Sequence, residues 1–241
     1  MISIKRCSPL IRWEGFRTFK VAQKVQESEV ITSFYLVPDD GQPVASYEPG
    51  QYISIKIKPE AQSFTQIRQY SLSDIPGKPC YRISVKRELG GLRRPDGVIS
   101  TYLHDHIEEG SQMELSAPAG EFTLDSDDKS PVVLLSGGIG LTPMISMLNT
   151  LVHLDKNRKI TFLHASPNGQ SHAFRDHVNS LAERYQGVNA YYCYTQPSAS
   201  DRENEFFHKE GYMDAVWLRQ VIDELDATYY LCGPVSFMRS V

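Results

Sequence analysis

Cysteine is scarce in this chain, and the four that occur stand far apart, at Cys7, Cys80, Cys193 and Cys232. No pair has the C-x-x-C spacing of a zinc or redox site, and the cysteine run of a plant-type iron–sulfur centre is missing. The histidines show no metal-ligand spacing either. The sequence therefore predicts no metal site, and it favours a reducing, cytoplasmic location.

Long apolar runs are missing too. The run at residues 132–135 is typical, far below the ~18 residues that a membrane span needs, and residues 1–13 are too interrupted by charge for a signal peptide. The net charge is −4, from 25 Lys+Arg and 29 Asp+Glu, which argues against nucleic-acid binding through bulk electrostatics. We therefore expect an ordinary globular chain without a membrane or nucleic-acid partner.

The first half of the chain alternates apolar and polar side chains as half-buried strands do. The pattern predicts six short strands, at residues 18–25, 30–37, 53–58, 69–72, 81–86 and 112–117. Turn signals such as Asp39-Asp40-Gly41 separate them, and one helix is predicted at residues 100–106. This set favours a six-stranded antiparallel barrel, because closing the sheet removes exposed edges.

The pattern changes near residue 130, where a continuous apolar run at residues 131–136 predicts a strand buried on both faces. Similar strands are predicted at residues 160–166, 189–195 and 228–232, with helices at residues 144–154, 172–185 and 214–225. Strands that alternate with helices indicate a parallel sheet. A polar, acidic segment at residues 125–130 lies between the two patterns. We therefore expect two domains, at residues 14–124 and 130–241.

The strongest local signal is the loop Ser136-Gly137-Gly138-Ile139-Gly140-Leu141-Thr142-Pro143, which follows a buried strand and opens a helix. Its glycines let a ligand approach the backbone, and the start of a helix favours an anion. Thr142 is expected to cap this helix and Pro143 to take its first position. Pro143 replaces the third glycine of G-x-G-x-x-G, which disfavours a standard Rossmann dehydrogenase. The alternative is a tight turn whose glycines serve packing alone.

A second segment, Arg68-Gln69-Tyr70-Ser71, falls in the barrel half. On a strand, Arg68 and Tyr70 lie on one face and Ser71 lies on the other. This arrangement offers a phosphate ligand, a ring for stacking and a hydroxyl for a heteroatom. The alternative is an ordinary strand with polar side chains on its outer face.

These two segments, followed by Tyr230-Leu231-Cys232-Gly233-Pro234, resemble the ferredoxin–NADP reductase superfamily. More specifically, the chain resembles the reductase module of flavohaemoglobins, the bacterial nitric oxide dioxygenases. The resemblance covers nearly the whole chain and includes Pro49-Gly50-Gln51-Tyr52, Val85-Lys86-Arg87-Glu88, Ala117-Pro118-Ala119-Gly120-Glu121-Phe122 and His172-Ala173-Phe174. Taken in this order, the motifs are highly specific.

The resemblance implies FAD in the barrel and a nicotinamide nucleotide over the parallel sheet. It implies three catalytic positions for hydride transfer, with Ser71 near the flavin N5 and with Thr142 and Cys232 near the nicotinamide ring. On the barrel side it implies cofactor contacts from Arg68 (to the FAD pyrophosphate), Ser100 (to FAD phosphate), Tyr52 and Tyr70 (packed on the flavin or its tail), Gln69, Val85 and Lys86. On the nucleotide side it implies contacts from Gly137, Gly138, Gly140, Thr142, Pro143, Cys232, Gly233 and Pro234.

The resemblance also implies an electron acceptor. Only some dozen residues precede Trp13, too few for a globin, so we expect electrons to pass from NADH through FAD to a haem globin outside this chain. The family continues beyond Cys232-Gly233-Pro234 with a helix and a last strand beside the flavin, so we expect weaker flavin binding here. NADH is favoured over NADPH, because residues 167–171 carry no Arg or Lys for a 2′-phosphate.

Two other functions are compatible with the sequence. One is a stand-alone flavin reductase or the reductase component of an oxygenase, the latter weakened by the lack of iron–sulfur cysteines. The other, from a different class, is a non-catalytic remnant that binds nucleotide but no flavin. Retention of flavin on purification separates this remnant from both enzymes.

Overall fold

The first half of the chain forms an antiparallel sheet. The computed structural model describes residues 13–59, 63–91, 95–223 and 225–241. The strands of this sheet are β1 (Arg17–Gln26), β2 (Ile31–Pro38), β3 (Tyr52–Ile57), β4 (Gln66–Ser71), β5 (Tyr81–Lys86) and β6 (Gln112–Leu115), in the order β4-β3-β6-β1-β2-β5. The two outer strands meet at a bridge between Leu72 and Ile83, which closes the sheet. The predicted six-stranded barrel is thereby confirmed.

The barrel core follows from the alternation in the sequence. In β3, Ile53, Ile55 and Ile57 point inward and are buried, while the side chains between them are only partly covered. Burying such aliphatic side chains contributes about 1.5–3 kcal/mol each. Helix α1 (Val98–His106) covers one end of the barrel with the buried Ile99 and Leu103.

The second half forms a parallel sheet with helices around it. Its strands are β7 (Val132–Gly137), β8 (Ile160–Ser166), β9 (Val188–Tyr194), β10 (Lys209–Glu210) and β11 (Thr228–Cys232), in the order β10-β9-β8-β7-β11. The helices are α2 (Leu141–Leu154), α3 (Arg175–Arg184), α4 (Ala199–Glu203), α5 (Ala215–Val221) and α6 (Val235–Ser240). Every residue of β7 is buried, which confirms the strand covered on both faces. The domain boundaries at residues 124 and 130 stay predictions.

The start of α2 differs from the sequence-based expectation. A short 3₁₀ turn (Gly138–Gly140) precedes the helix, and Gly140, not Thr142, is the residue before its first turn. The Thr142 hydroxyl donates to the Ile139 carbonyl over 3.1 Å. Pro143 lies further inside the first turn, where its missing N–H has no helical acceptor in any case. The predicted cap was therefore wrong, although the strand–loop–helix order was right.

Helix α2 packs against the barrel as well as against its own sheet. Ile31 and Leu124 join one apolar cluster with the buried face of α2. Gly50, at φ +104°, lies close to both α2 and the Phe122 backbone. A Cβ at this position would lie 2.8 Å from Met147 Cε and would collide with the Phe122 carbonyl. This contact fixes α2 between the two sheets. None of the helices in the described ranges is long and apolar enough to cross a lipid bilayer.

Candidate cofactor site

A cavity of about 550 Å³ lies where the barrel meets the parallel sheet. On the barrel side it opens between β4 and β5, beyond the Leu72–Ile83 bridge that joins them. The first turn of α1 closes one end of this gap. The opposite wall consists of the loop before α2 and the turn after β11. Both halves of the chain therefore face a single cavity.

Most of the predicted site residues line this cavity. They are Arg68, Gln69, Tyr70, Ser71, Lys86, Ser100, Gly140, Thr142, Pro143, Cys232, Gly233 and Pro234. The three positions predicted to be catalytic, Ser71, Thr142 and Cys232, thus lie around one space although they are far apart in the sequence.

Four predicted residues lie elsewhere. Gly137 and Gly138 line a second cavity of about 560 Å³, which shares Lys86, Glu88 and Pro234 with the first. Tyr52 and Val85 line neither cavity. The Tyr52 ring lies against Gly120, where a Cβ would be 3.0 Å from the ring. Val85 points into the barrel core at 1% exposure.

The barrel wall combines a cation with a neutral ring. The Arg68 guanidinium is exposed and donates to the Ile67 carbonyl (2.8 Å) and to Gln66 Oε1 (2.7 Å), both on its own strand. Burial raises the pKa of Tyr70 to about 12, against a smaller opposing effect of Arg68. Tyr70 is therefore an uncharged phenol at neutral pH. Such a pair can hold a phosphate group and pack on a flat ring.

The start of α1 is tied to the end of β5. The Ser100 hydroxyl donates to the Gly97 carbonyl (3.0 Å) and accepts from the Glu88 N–H (3.1 Å). A Cβ at Gly97 would lie 2.6 Å from Ser100 Oγ. Because the first N–H groups of a helix lack helical acceptors, this end of the cavity favours an anion.

The opposite wall is uncharged and narrow. A Cβ on Gly140 would lie 2.8 Å from the Gly233 nitrogen and would collide with the Cys232 carbonyl, so the two loops touch through their backbones. Burial raises the pKa of the Cys232 thiol, which stays protonated at neutral pH. Small neutral groups on this wall suit a flat ring that is stacked against the barrel side.

Sequence reasoning missed several lining residues, namely Ser84, Glu88, Gly97, Val98, Ile99 and Ile139. Gly97 carried a usable signal, since a glycine directly before a predicted helix suggests a close approach of backbone. The others line the cavity because β5 stands opposite β4 and α1 docks on the barrel. Neither arrangement can be seen in local sequence.

Both halves of the chain match known family models. Residues 18–124 match the model described as the oxidoreductase FAD-binding domain. Residues 134–241 match the model described as the oxidoreductase NAD-binding domain.

The chain is 52% identical to a flavohemoprotein of Bacillus cereus over 229 residues, which are 95% of this chain and 57% of that protein. It thus spans little more than half the length of the curated relatives it matches. The flavohem-like FAD/NAD-binding domain of nitric oxide dioxygenase from Vibrio cholerae superposes with a TM-score of 0.83 at 40% identity, covering 92% of this chain and 89% of that one.

Flavohemoglobin from Malassezia yamatoensis, solved with bound FAD and heme, gives a TM-score of 0.75 at 25% identity and covers 93% of this chain and 54% of that one. The resemblance read from the sequence motifs is thereby confirmed. The chain belongs to the family of flavohemoprotein reductase domains, and it contains an FAD-binding and an NAD-binding oxidoreductase domain.

Proposed function

We propose that this chain is a reductase that passes electrons from NADH through FAD to a haem group held by a globin. The observation that carries the proposal is the single cavity shared by the β4–β5 gap and the neutral wall of Gly140 and Cys232. Bound FAD supplies the chemistry of accepting a hydride and releasing electrons one at a time. The haem acceptor rests on the flavohemoprotein relatives and on the heme named in the Malassezia structure.

The barrel wall would hold the flavin. We assign Arg68 to the FAD pyrophosphate, because its guanidinium faces the cavity from an exposed strand. Tyr70 would pack on the flavin, and Ser71 would offer its hydroxyl near the flavin N5. Ser100 and the first turn of α1 would take a phosphate oxygen. Gln69 and Lys86 flank these groups, with Tyr52 and Val85 shaping the wall from behind.

The opposite wall would hold the nicotinamide. Thr142, Pro143 and Cys232 border the slot that Gly140, Gly233 and Pro234 keep narrow. Gly137 and Gly138, in the second cavity, would receive the remainder of the nucleotide. Hydride transfer between two stacked rings calls for orientation and exclusion of water more than for an acid or base. The Cys232 thiol is protonated and uncharged, so it fits a role in orienting the ring and not one as a base.

The preference for NADH is part of the proposal. Ser166, Pro167 and Ser171 line the second cavity without charge. Arg175 follows, but its guanidinium lies 3.8 Å from the Phe206 ring and 3.3 Å from the Asp176 carboxylate. On the facing side Lys86 pairs with Glu88 (3.3 Å) and Arg87 pairs with Asp105 (2.6 Å). Each of these cations thus already has a partner within the fold, which supports a preference for NADH over a nucleotide with a 2′-phosphate.

The test is an anaerobic absorbance spectrum of the chain with FAD, before and after NADH is added. A bound flavin band that bleaches supports both sites and the hydride step. Loss of the flavin on gel filtration would favour the non-catalytic remnant, and a bound flavin that does not bleach would contradict the assigned nucleotide wall. Addition of a ferric globin then tests the acceptor, whose haem spectrum should change only when NADH and FAD are both present.

The nucleotide preference has its own test. Steady-state reduction of ferricyanide, with NADH or NADPH varied at a fixed FAD concentration, gives kcat/KM for each nucleotide. We expect the larger kcat/KM for NADH. A larger value for NADPH would contradict the preference without affecting the rest of the proposal.

We also propose a cytoplasmic location. In the described part of the chain Cys80, Cys193 and Cys232 are free thiols. Free thiols fit a reducing compartment, where FAD and nicotinamide nucleotides are also available.

A further inference from the structure

One backbone carbonyl joins the barrel to the nucleotide half. The Asp74 carbonyl accepts a hydrogen bond from the Tyr47 hydroxyl over 2.7 Å and another from the Ser146 hydroxyl over 2.6 Å. Tyr47 and Asp74 belong to the barrel, whereas Ser146 lies on α2. Asp74 and Ser146 are 4% and 0% exposed, so water does not compete for this contact.

The contact stands next to both walls of the cofactor cavity. Asp74 follows Ser71 by three residues, directly beyond the end of β4. Ser146 follows Thr142 by four residues, one turn along α2. The hydrogen bond therefore gives a short path between the wall assigned to the flavin and the wall assigned to the nicotinamide.

The barrel end of this path is firmly held. Arg82, at 9% exposure, donates from Nε to Ser73 Oγ over 3.1 Å and from Nη2 to the Ser73 carbonyl. Its guanidinium also lies 4.8 Å from the ring of Phe174, the residue before α3. Phe174 is buried and adopts φ 60°, a left-handed conformation that is costly for an aromatic residue. A second contact from the nucleotide half therefore reaches the same end of β4.

We propose that Ser146 is a positioning residue that sets the distance between the two walls through the Asp74 carbonyl. This inference rests on the proposed function, since it concerns the same hydride transfer. Such a transfer is sensitive to position, and a misplacement of about 1 Å can cost on the order of 100-fold in rate. Ser146 need not touch either cofactor to have this effect.

The test compares two substitutions on α2 that each remove one buried hydroxyl. Ser146→Ala deletes the hydrogen bond to the Asp74 carbonyl but leaves that carbonyl bonded to Tyr47, so we expect the fold to be retained. Thr150→Val deletes a hydroxyl that donates to the Ser146 carbonyl within the same helix (2.8 Å) and serves as the matched control. Phe174→Leu removes the ring over Arg82 and perturbs the same interface independently.

The rate constant of flavin reduction at saturating NADH is measured by anaerobic stopped flow on FAD-loaded protein. We expect Ser146→Ala to lower it at least about tenfold, while the Kd values of FAD and NAD⁺ change by less than about twofold. Phe174→Leu should act in the same direction. Thr150→Val should match the wild type in all three quantities.

Amide hydrogen exchange without cofactors gives a readout that does not depend on activity. In Ser146→Ala the amides of Ser73 and Ile75 should exchange faster, because the segment loses its hydrogen bond to α2, whereas Thr150→Val should leave them unchanged. Wild-type reduction rates in Ser146→Ala, or a loss found wholly in nucleotide affinity, would overturn the positioning role. A wild-type flavin that NADH does not bleach would instead overturn the proposed function, while the exchange data would still decide whether the contact holds the walls together.

Discussion

Arg68 lines the cofactor cavity, and its proposed role in FAD binding can be separated from any role in the fold. Its side chain is exposed, faces the cavity and bonds to groups on its own strand. The barrel core, built around residues such as Phe19, Ile55 and Leu115, does not depend on it. Removing its charge should therefore separate flavin affinity from stability.

We expect Arg68→Ala to weaken FAD binding about 10- to 100-fold, since a hydrogen bond to a charged group contributes about 1.5–3 kcal/mol. The thermal midpoint of the cofactor-free chain should hardly change. Isothermal titration with FAD and a thermal melt check the two parts. Arg184→Ala, an exposed arginine outside both cavities, is the control. An FAD affinity equal to the wild type would remove Arg68 from its assigned role.

Gly140 makes the opposite case, in which a residue that lines the cavity is also required by packing. A Cβ there would force apart the loop before α2 and the turn after β11. Gly140→Ala should therefore lower the free energy of unfolding by about 1–3 kcal/mol and weaken NAD⁺ binding as well. Urea denaturation and a nucleotide titration measure the two effects. Gly91→Ala, where a Cβ meets open space, should leave both unchanged.

At this scale the sequence marked residues that line the cavity but did not predict how they are arranged. Alternation along a strand was enough to place Arg68 and Tyr70 together, and the glycine loop was enough to mark Thr142. The close approach of Gly140 to Cys232 could not be predicted, because it depends on β7 and β11 being neighbours in the sheet. The bond between Ser146 and Asp74 was hidden for a similar reason, since it joins two separately folded segments.

Among the elements, three neighbouring strands share a buried polar row near their carboxyl ends. Ser136 on β7 lies 2.9 Å from His164 Nδ1 on β8, and the rings of His164 and His172 lie 4.6 Å apart. His172 Nδ1 in turn lies 2.8 Å from the Tyr194 hydroxyl on β9. Burial lowers the pKa of His164 to about 3, and burial followed by the neighbouring His164 lowers that of His172. Both rings are therefore neutral in the folded chain.

This row makes the fold sensitive to acid. An unfolded histidine has a pKa of about 6.5, above the folded value, so protons below that pH favour the unfolded chain. The stability that comes from holding these histidines neutral is present above about pH 6.5, and it declines as the pH falls towards 3. Relative to pH 7.5, we expect His164 alone to lower the free energy of unfolding by about 1.4 kcal/mol at about pH 5.5, and His172 to lower it further.

Urea denaturation at both pH values measures this loss. His164→Asn should be less stable than the wild type at neutral pH but should lose less on acidification. An equal loss in the variant and the wild type would show that other groups cause the acid sensitivity.

Element types were predictable where patterns were long and local. The sequence placed β5, β8 and β11 at the bounds observed. It missed α4, β10 and α6, which have only five, two and six residues and hence too few positions to show a period. The gap between β4 and β5, on which the cavity depends, arises from barrel closure and has no counterpart in either strand alone.

The whole molecule is expected to unfold as one unit. Ile31 and Leu124 share an apolar cluster with α2, so neither half can unfold without exposing part of this shared cluster. The chain has two tryptophans, Trp13 and Trp217. Trp13 packs on the barrel and donates to the Leu115 carbonyl (3.1 Å), whereas Trp217 is buried beside the parallel sheet. Each therefore reports on one half.

Two single-tryptophan variants, Trp13→Phe and Trp217→Phe, test this expectation. Their fluorescence transitions in urea should each coincide with the far-ultraviolet circular dichroism transition of the same variant, which reports on both sheets. A tryptophan signal that changes at a clearly different urea concentration would mean that the halves unfold separately. The shared cluster would then contribute less than its burial suggests.

The gap in the barrel wall links stability to supply of the cofactor. β4 and β5 are joined through Leu72 and Ile83 and then face each other across the cavity. A molecule bound in the gap would contact both β4 and β5, which the Leu72–Ile83 bridge joins at one end of the gap. Because the gap exists only in the folded chain, the molecule would bind the folded state alone. At a free concentration of about 100 times its Kd, such a ligand adds about 2.7 kcal/mol. If FAD occupies this gap as proposed, we expect the free energy of unfolding of the chain to rise and fall with the concentration of free FAD.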